Sequence, residues 1–455
     1  MKKRLLSMLL VSAMAVTGLA GCESKSEETA DQPAVSTDEG EHTNASKSTE
    51  AEVSDEDIYL EVMITFLNDA ADGPFLLSVI EEFEELHPNV TIEPIAVAMN
   101  DLYTTLLTMA TSGDLPDVFT MQDAYMAKAV EMGMVQDMTD LLGEEWLAGT
   151  MPVAIEGCKV DDTLVFMPWQ NNTLAMIYRK DLFEEKNLEI PETWDQFIEA
   201  AKALTEDLDG DGKIDRYGAT FCGTRNDSAE SRFQTLAMTF DGWLVKEENG
   251  EMVTQVDSPE FKEAMKFFIN AAVNEGIMPD GFVETGYSEA YTLCAADQAC
   301  MFFGASNVFG AMFKANPDMK DKWSSFPMPH AEGLDPITSF GTLGMSISST
   351  SEHPEMAAEF LKFLTNKENS IAWSEATGRL PCQIEALNEI INGNDLYKGF
   401  ADSSDFAVLL PTFAGTAELR DICGECWQSV IAEGVSLDDA LATAATKADE
   451  VMAKY

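Results

Sequence analysis

Leu60, Val62, Ile64 and Phe66 alternate with their neighbours, a period of two that predicts a β-strand. Asn68-Asp69 and then Gly73-Pro74 break the pattern. Leu76, Val79, Ile80, Phe83 and Leu86 resume at helical spacing until Pro88-Asn89 ends the run. Residues 90–97 read as a second strand, Leu102, Leu106 and Met109 as one face of a second helix, and Val118-Phe119-Thr120-Met121 as a third strand. Strand–helix–strand–helix–strand predicts a parallel sheet covered by helices, whose ligands bind beyond the carboxyl ends of the strands. Those ends carry Asn68-Asp69 and Gln122-Asp123, both candidate ligand-binding pairs. Asn and Asp also make turns and helix caps, so position alone leaves both roles open. Further on, Thr193 with Gln196 forms a capping box. Trp194, Phe197, Ile198, Ala201 and Leu204 then share one helical face, which assigns Trp194 to the core.

Composition extends this picture. At 455 residues the chain exceeds what one core usually holds, so two domains are expected, and 45% apolar content is that of a globular protein. Residues 1–21 read as an export signal: Lys2, Lys3 and Arg4, then an apolar stretch too short and too polar for a membrane span. Residues 22–57 are acidic, Ser/Thr-rich and poor in large apolar side chains, a flexible tether. The formal charge of −52 repels nucleic acid and anionic headgroups but identifies no ligand. Beyond Cys22, seven cysteines remain, an odd number that rules out complete disulfide pairing. Cys423-Gly-Glu-Cys426 has CxxC spacing but supplies only half a tetrahedral zinc site, so structural thiols are expected.

Two stretches carry binding chemistry. Sugar recognition combines aromatic faces with planar amides or carboxylates, and Pro168-Trp169-Gln170-Asn171-Asn172 offers both; Trp169 and Asn171 are the candidates. A capped, half-buried loop is the other reading of that cluster. Asp207, Asp209, Asp211 and Asp215 occupy positions 1, 3, 5 and 9 of an EF-hand-like loop, with Gly212 at position 6 and the Lys213 carbonyl at position 7. Position 12 is Gly218 instead of the bidentate Glu, so a structural Ca²⁺ would need a further ligand. An acidic turn is the alternative. No phosphate loop, GxSxG, HExxH or dinucleotide glycine fingerprint is present, and nothing selects one carboxylate pair for hydrolysis, so no enzyme is expected.

Several segments, in order, resemble a known family. EEFEELHPNVTIE, LPDVFTMQ, YRKDLFEEKNLEIPETWDQFIEAAKAL, ACMFFGAS, SEHPEMAAEFLKFLTNKENSIAWSEATGRLPC and GVSLDDALATAATKADEVM are similar to stretches of the extracellular solute-binding proteins of sugar-type ABC transporters. Leu19-Ala20-Gly21-Cys22 resembles the lipobox of bacterial lipoproteins, which implies a diacylglycerol on Cys22 and a membrane-anchored, extracytoplasmic protein. The resemblance implies an α/β fold, a two-lobe clamp with a mostly parallel sheet in each lobe and three hinge crossings. Lobe one is expected over 58–166 and 342–390, and lobe two over 167–341 and 391–455. It puts Trp169 and Asn171 at the first crossing, Trp243 near the cleft and Phe340 at the second crossing. Where many members carry a stacking aromatic, this chain has Asn307. The implied function is capture of a carbohydrate, an oligosaccharide first, by a monomer that needs no cofactor and delivers its ligand to an ABC permease. A peptide-binding protein, a surface adhesion protein and a surface glycosidase are the competing readings.

Overall fold

The computed structural model describes residues 57–249 and 251–455; the signal segment, Cys22 and the tether through residue 56 lie outside them. The predicted alternation of strands and helices is present: strands Ile58–Ile64, Val90–Ala96 and Val118–Gln122, with helices Asp72–Leu86 and Leu102–Ser112 between them. These strands pair in parallel. Thr342–Ile347, Met167–Asn171 and Leu380–Pro381 extend the same sheet to six strands, each joining antiparallel. Val62, Met63 and Ile64 are all buried, because helices cover both faces of the sheet.

The second lobe is built on a three-stranded sheet, Met301–Gly304, Ala175–Arg179 and Trp323–Phe326. All its pairings are antiparallel, whereas the expectation was a mostly parallel sheet in each lobe. These strands read as continuous buried runs, the pattern of a sheet covered on both sides, and such runs carry no information about strand direction. Helices surround the sheet. The Trp194–Leu204 helix carries the predicted capping box on Thr193, and Trp194 is buried with Phe197, Phe240 and Phe267 against it. All seven cysteines beyond Cys22 are buried and free.

Two lobe boundaries move. Met167–Asn171 was assigned to lobe two, but its hydrogen bonds to Thr342–Ile347 and Leu380–Pro381 place it in the lobe-one sheet. The first crossing therefore falls between Asn171 and Ala175. The segment to residue 390 was assigned to lobe one, yet Leu387 and Ile390, beyond the last strand of the lobe-one sheet, pack on the second lobe's core. Helical amphipathicity says that a face is buried but not against which lobe.

Trp169 is corrected by the same geometry. It is 1% exposed, stacks on Trp373 at 4.4 Å and 22°, and has Phe66 at 6.4 Å, so it is a core residue and not a stacking platform for ligand. Neighbouring strands hold it on both sides, and Gly344 permits this closeness: a Cβ there would sit 1.8 Å from the Met167 carbonyl. Trp169→Ala is expected to cost about 3–5 kcal/mol in chemical denaturation. A loss below about 1 kcal/mol would show that the ring is not part of the core.

Candidate ligand cleft

At the carboxyl end of Ile58–Ile64, the chain turns through Asn68 and Asp69, both exposed, into the Asp72–Leu86 helix. Asp72 is 3% exposed and accepts hydrogen bonds from Trp373 Nε1 (3.0 Å) and Arg379 Nε (2.8 Å). Arg379 also donates to Gln170 Oε1 at 2.8 Å, lies 3.8 Å over the Phe66 ring and approaches Asp69 at 3.7 Å. Desolvation and the nearby Asp72 charge raise the Asp69 carboxyl above its ordinary value, with Arg379 opposing. One of the two predicted pairs is thus held beside a cation that follows the Lys367–Thr377 helix.

Gln122 ends its strand and Asp123 opens the helix Asp123–Glu131, capping Ala124 N through Oδ1. Its other oxygen lies 3.5 Å from Arg420 Nη2 on the second lobe's Thr416–Glu433 helix. Arg420 is 2% exposed and also donates to Gln234 Oε1 (3.0 Å) and Asp227 Oδ1 (3.1 Å). Burial works against its charge, but Asp123 and Asp227 outweigh burial and hold the guanidinium above its usual value. The lobes meet again where Leu380 N donates to Ser306 Oγ (3.1 Å) and Lys314 Nζ to Ala70 O (2.6 Å). Gly310 and Gly378 let the backbones touch; a Cβ on Gly310 would stand 2.0 Å from Thr377 O. Asn307, beside Ser306, accepts a 2.8 Å hydrogen bond from Tyr287.

Asp123 thus meets the other lobe directly, while Asp69 and Asn307 pair within their own lobes next in the chain to Ala70 and Ser306, which join the lobes; exposed Asn68 and half-buried Gln122 adjoin Asp69 and Asp123. Other candidates do not join them. Asn171 is 5% exposed, and its Oδ1 accepts from Thr173 N and Oγ1. Phe340 is 2% exposed in a small core with Ala154 and Cys382. Trp243 is half-buried, donates to Asp241 Oδ1 and lies beside Lys246, next to the Val245–Glu248 and Glu251–Thr254 hairpin. Sequence reasoning missed Arg420 and Tyr287. The one available signal was scarcity: arginine is rare in so acidic a chain.

In the acidic loop, carboxylates of Asp207, Asp209 and Asp215 lie within 4.8 Å of one another. Asp211 is not part of that group; its Oδ1 accepts from Lys213 N. Gly218 cannot be replaced by a side-chain ligand, because a Cβ would meet Ala201 O at 1.9 Å. The three converging carboxylates fit a hard cation, with the ligand of loop position 12 left to solvent or another group.

Residues 68–371 match the family described as bacterial extracellular solute-binding protein. The chain belongs to this family. It is 24% identical over 322 residues to the multiple sugar-binding protein of Streptococcus mutans, covering 69% of this chain and 73% of that one. It superposes with a TM-score of 0.78, at 21% identity, on an ABC transporter solute-binding protein from Thermotoga lettingae bound with α-D-tagatose, covering 87% of this chain and 100% of that one. A maltose/maltodextrin-binding domain from Bdellovibrio bacteriovorus bound to maltotriose gives 0.73, at 22% identity, with 86% and 99% covered. The family and these neighbours are solute-binding proteins, not enzymes, and their two-lobe α/β clamp is the fold of this chain. Among the described residues no helix is long and apolar enough to cross a membrane.

Beside Arg420, Glu230 is 3% exposed and its Oε1 has no hydrogen-bond partner. Burial pushes its carboxyl up to about 8; Asp421 and Asp227 add to this, and Arg420 and Arg225 oppose it. Below about pH 4.3 both folded and unfolded chains hold this proton, and the favourable contribution is complete. As pH rises toward 8 the unfolded chain releases the proton first, so this contribution falls and is lost beyond the folded value. The melting temperature of Glu230→Gln relative to wild type should therefore climb between about pH 5 and 8 and level off above. A pH-independent difference would show that Glu230 titrates normally.

Proposed function

We propose that this solute-binding protein captures a carbohydrate, an oligosaccharide first, between its lobes and presents it to the membrane subunits of an ABC importer. The observation that supports this most is the meeting of Asp123 with Arg420, beside Asp227 and Gln234, at the carboxyl end of a lobe-one strand. Such side chains hydrogen-bond hydroxyls, and a ligand touching both lobes favours the closed clamp. The sugars bound by the solved neighbours point the same way. The protein acts as a monomer, Ca²⁺ orders the Asp207–Asp215 loop, and lipid on Cys22 holds the chain at the outer face of the membrane.

A thermal-shift panel of mono- and oligosaccharides tests the carbohydrate reading. A sugar at about 100 times its dissociation constant should stabilise the fold by roughly 2.7 kcal/mol. A response to peptides and to no sugar would overturn the reading. Repeating the melt after EDTA treatment, with Ca²⁺ added back, tests the loop: reversible loss of melting temperature is expected, and indifference removes the ion. Cys22→Ser should release the protein into the medium of expressing cells; continued retention in the membrane fraction would exclude a lipid anchor.

A further inference from the structure

Arginine is scarce in a chain with 80 acidic and 28 basic residues, and among the described residues nearly every arginine is matched to a carboxylate. Arg179 pairs with Asp181, Arg216 with Glu206, Arg225 with Asp421, Arg379 with Asp72 and Arg420 with Asp227. Arg232, on the helix Asp227–Met238 that also supplies Asp227 and Gln234 to Arg420, is the exception: its contacts among the described residues are Ser228 and Tyr287, with no carboxylate at ion-pair distance. In so acidic a protein, carboxylates are plentiful enough to pair every guanidinium, so an unmatched one calls for an external anion.

Its hydrogen bonding leaves one donor, Nε, without an acceptor. Nη1 donates to Ser228 O (2.6 Å) and Ser228 Oγ (2.8 Å), while Nε is buried and has no acceptor. A buried donor without an acceptor is costly. The guanidinium carbon lies 3.7 Å from the Tyr287 ring centroid, a cation–π contact, and the two side chains also share a hydrogen bond. The Nε–Nη2 edge is the one that a carboxylate or phosphate takes with two parallel hydrogen bonds. Tyr287 ties this group to the cleft through its hydroxyl on Asn307. Burial raises the Tyr287 phenol, and both Arg232 and, from lobe one, Arg379 pull it back. We infer that Arg232 is the anion-recognising residue of the cleft, and that the captured carbohydrate bears a carboxylate or phosphate. This rests on the carbohydrate reading above.

Calorimetric titration of the full-length protein with trigalacturonate against its methyl ester, and with glucose 6-phosphate against glucose, tests it and separates the two anion sources. One charged sugar should bind at least about tenfold more tightly than its neutral counterpart, and its affinity should fall as salt is raised. Arg232→Gln should weaken that sugar by about 10–100-fold while the neutral partner changes little. Arg232→Lys, which keeps the charge but loses the fork, should fall between, and circular-dichroism melts establish that both variants fold. Preference for neutral sugars, or an anionic sugar bound equally well by Arg232→Gln, overturns the assignment and leaves carbohydrate capture standing. Failure of every sugar to bind overturns both.

Discussion

Asp72 and Arg379 stand 307 positions apart in sequence and meet in the interior, their side chains 4% and 8% exposed. Removing either partner of such a buried pair leaves an uncompensated charge, at a cost of about 3–5 kcal/mol. The same carboxylate receives the Trp373 indole, and the same guanidinium reaches Gln170 and covers Phe66. The start of the first helix, the last strand before the first crossing and the end of the helix before the third crossing are thereby fixed to one another. Asp69, which approaches the same guanidinium at 3.7 Å, is the exposed carboxylate of this group.

The contact of Asp123 with Arg420 across the lobes is of another kind. Asp123 and Arg420 are 3.5 Å apart, at the limit of hydrogen bonding, and the Asp123 side chain is 22% exposed. Inside its own lobe Arg420 is held more tightly, by Gln234 and Asp227. A long contact of this kind between lobes suits a two-state clamp, because a ligand shifts the balance only by the difference in its affinity for the two states. Gly310 and Gly378 bring the lobes into backbone contact where any larger residue would clash.

The alternation at Leu60–Phe66 and the capping box at Thr193 located their elements, because both are local signals that read directly from spacing. The hydrophobic period could not say that Ala175–Arg179 pairs antiparallel, since a strand buried on both faces looks the same in either direction. Of the candidates, Asp69 and Asp123, taken from strand ends, lie beside Arg379 and Arg420, and Asn307, taken from the family resemblance, bonds Tyr287. Trp169 and Phe340 misled: an aromatic beside amides suits a sugar, but the strands around each ring decide whether ligand can reach it. Arg420 and Tyr287 arrive from distant helices by tertiary packing alone, for which the sequence holds no spacing.

The stacked indoles of Trp169 and Trp373 have an optical consequence. Two rings held at 4.4 Å and 22° couple their electronic transitions, so they should give a paired band in circular dichroism that neither ring gives alone. Both are shut away in the lobe-one core, and Trp194, Trp323 and Trp427 are buried in the core of lobe two. Most of the intrinsic fluorescence of this protein thus reports on packing inside the lobes. A change of emission on adding solute would mean that the lobes themselves had rearranged, and an unchanged spectrum would be compatible with tight binding.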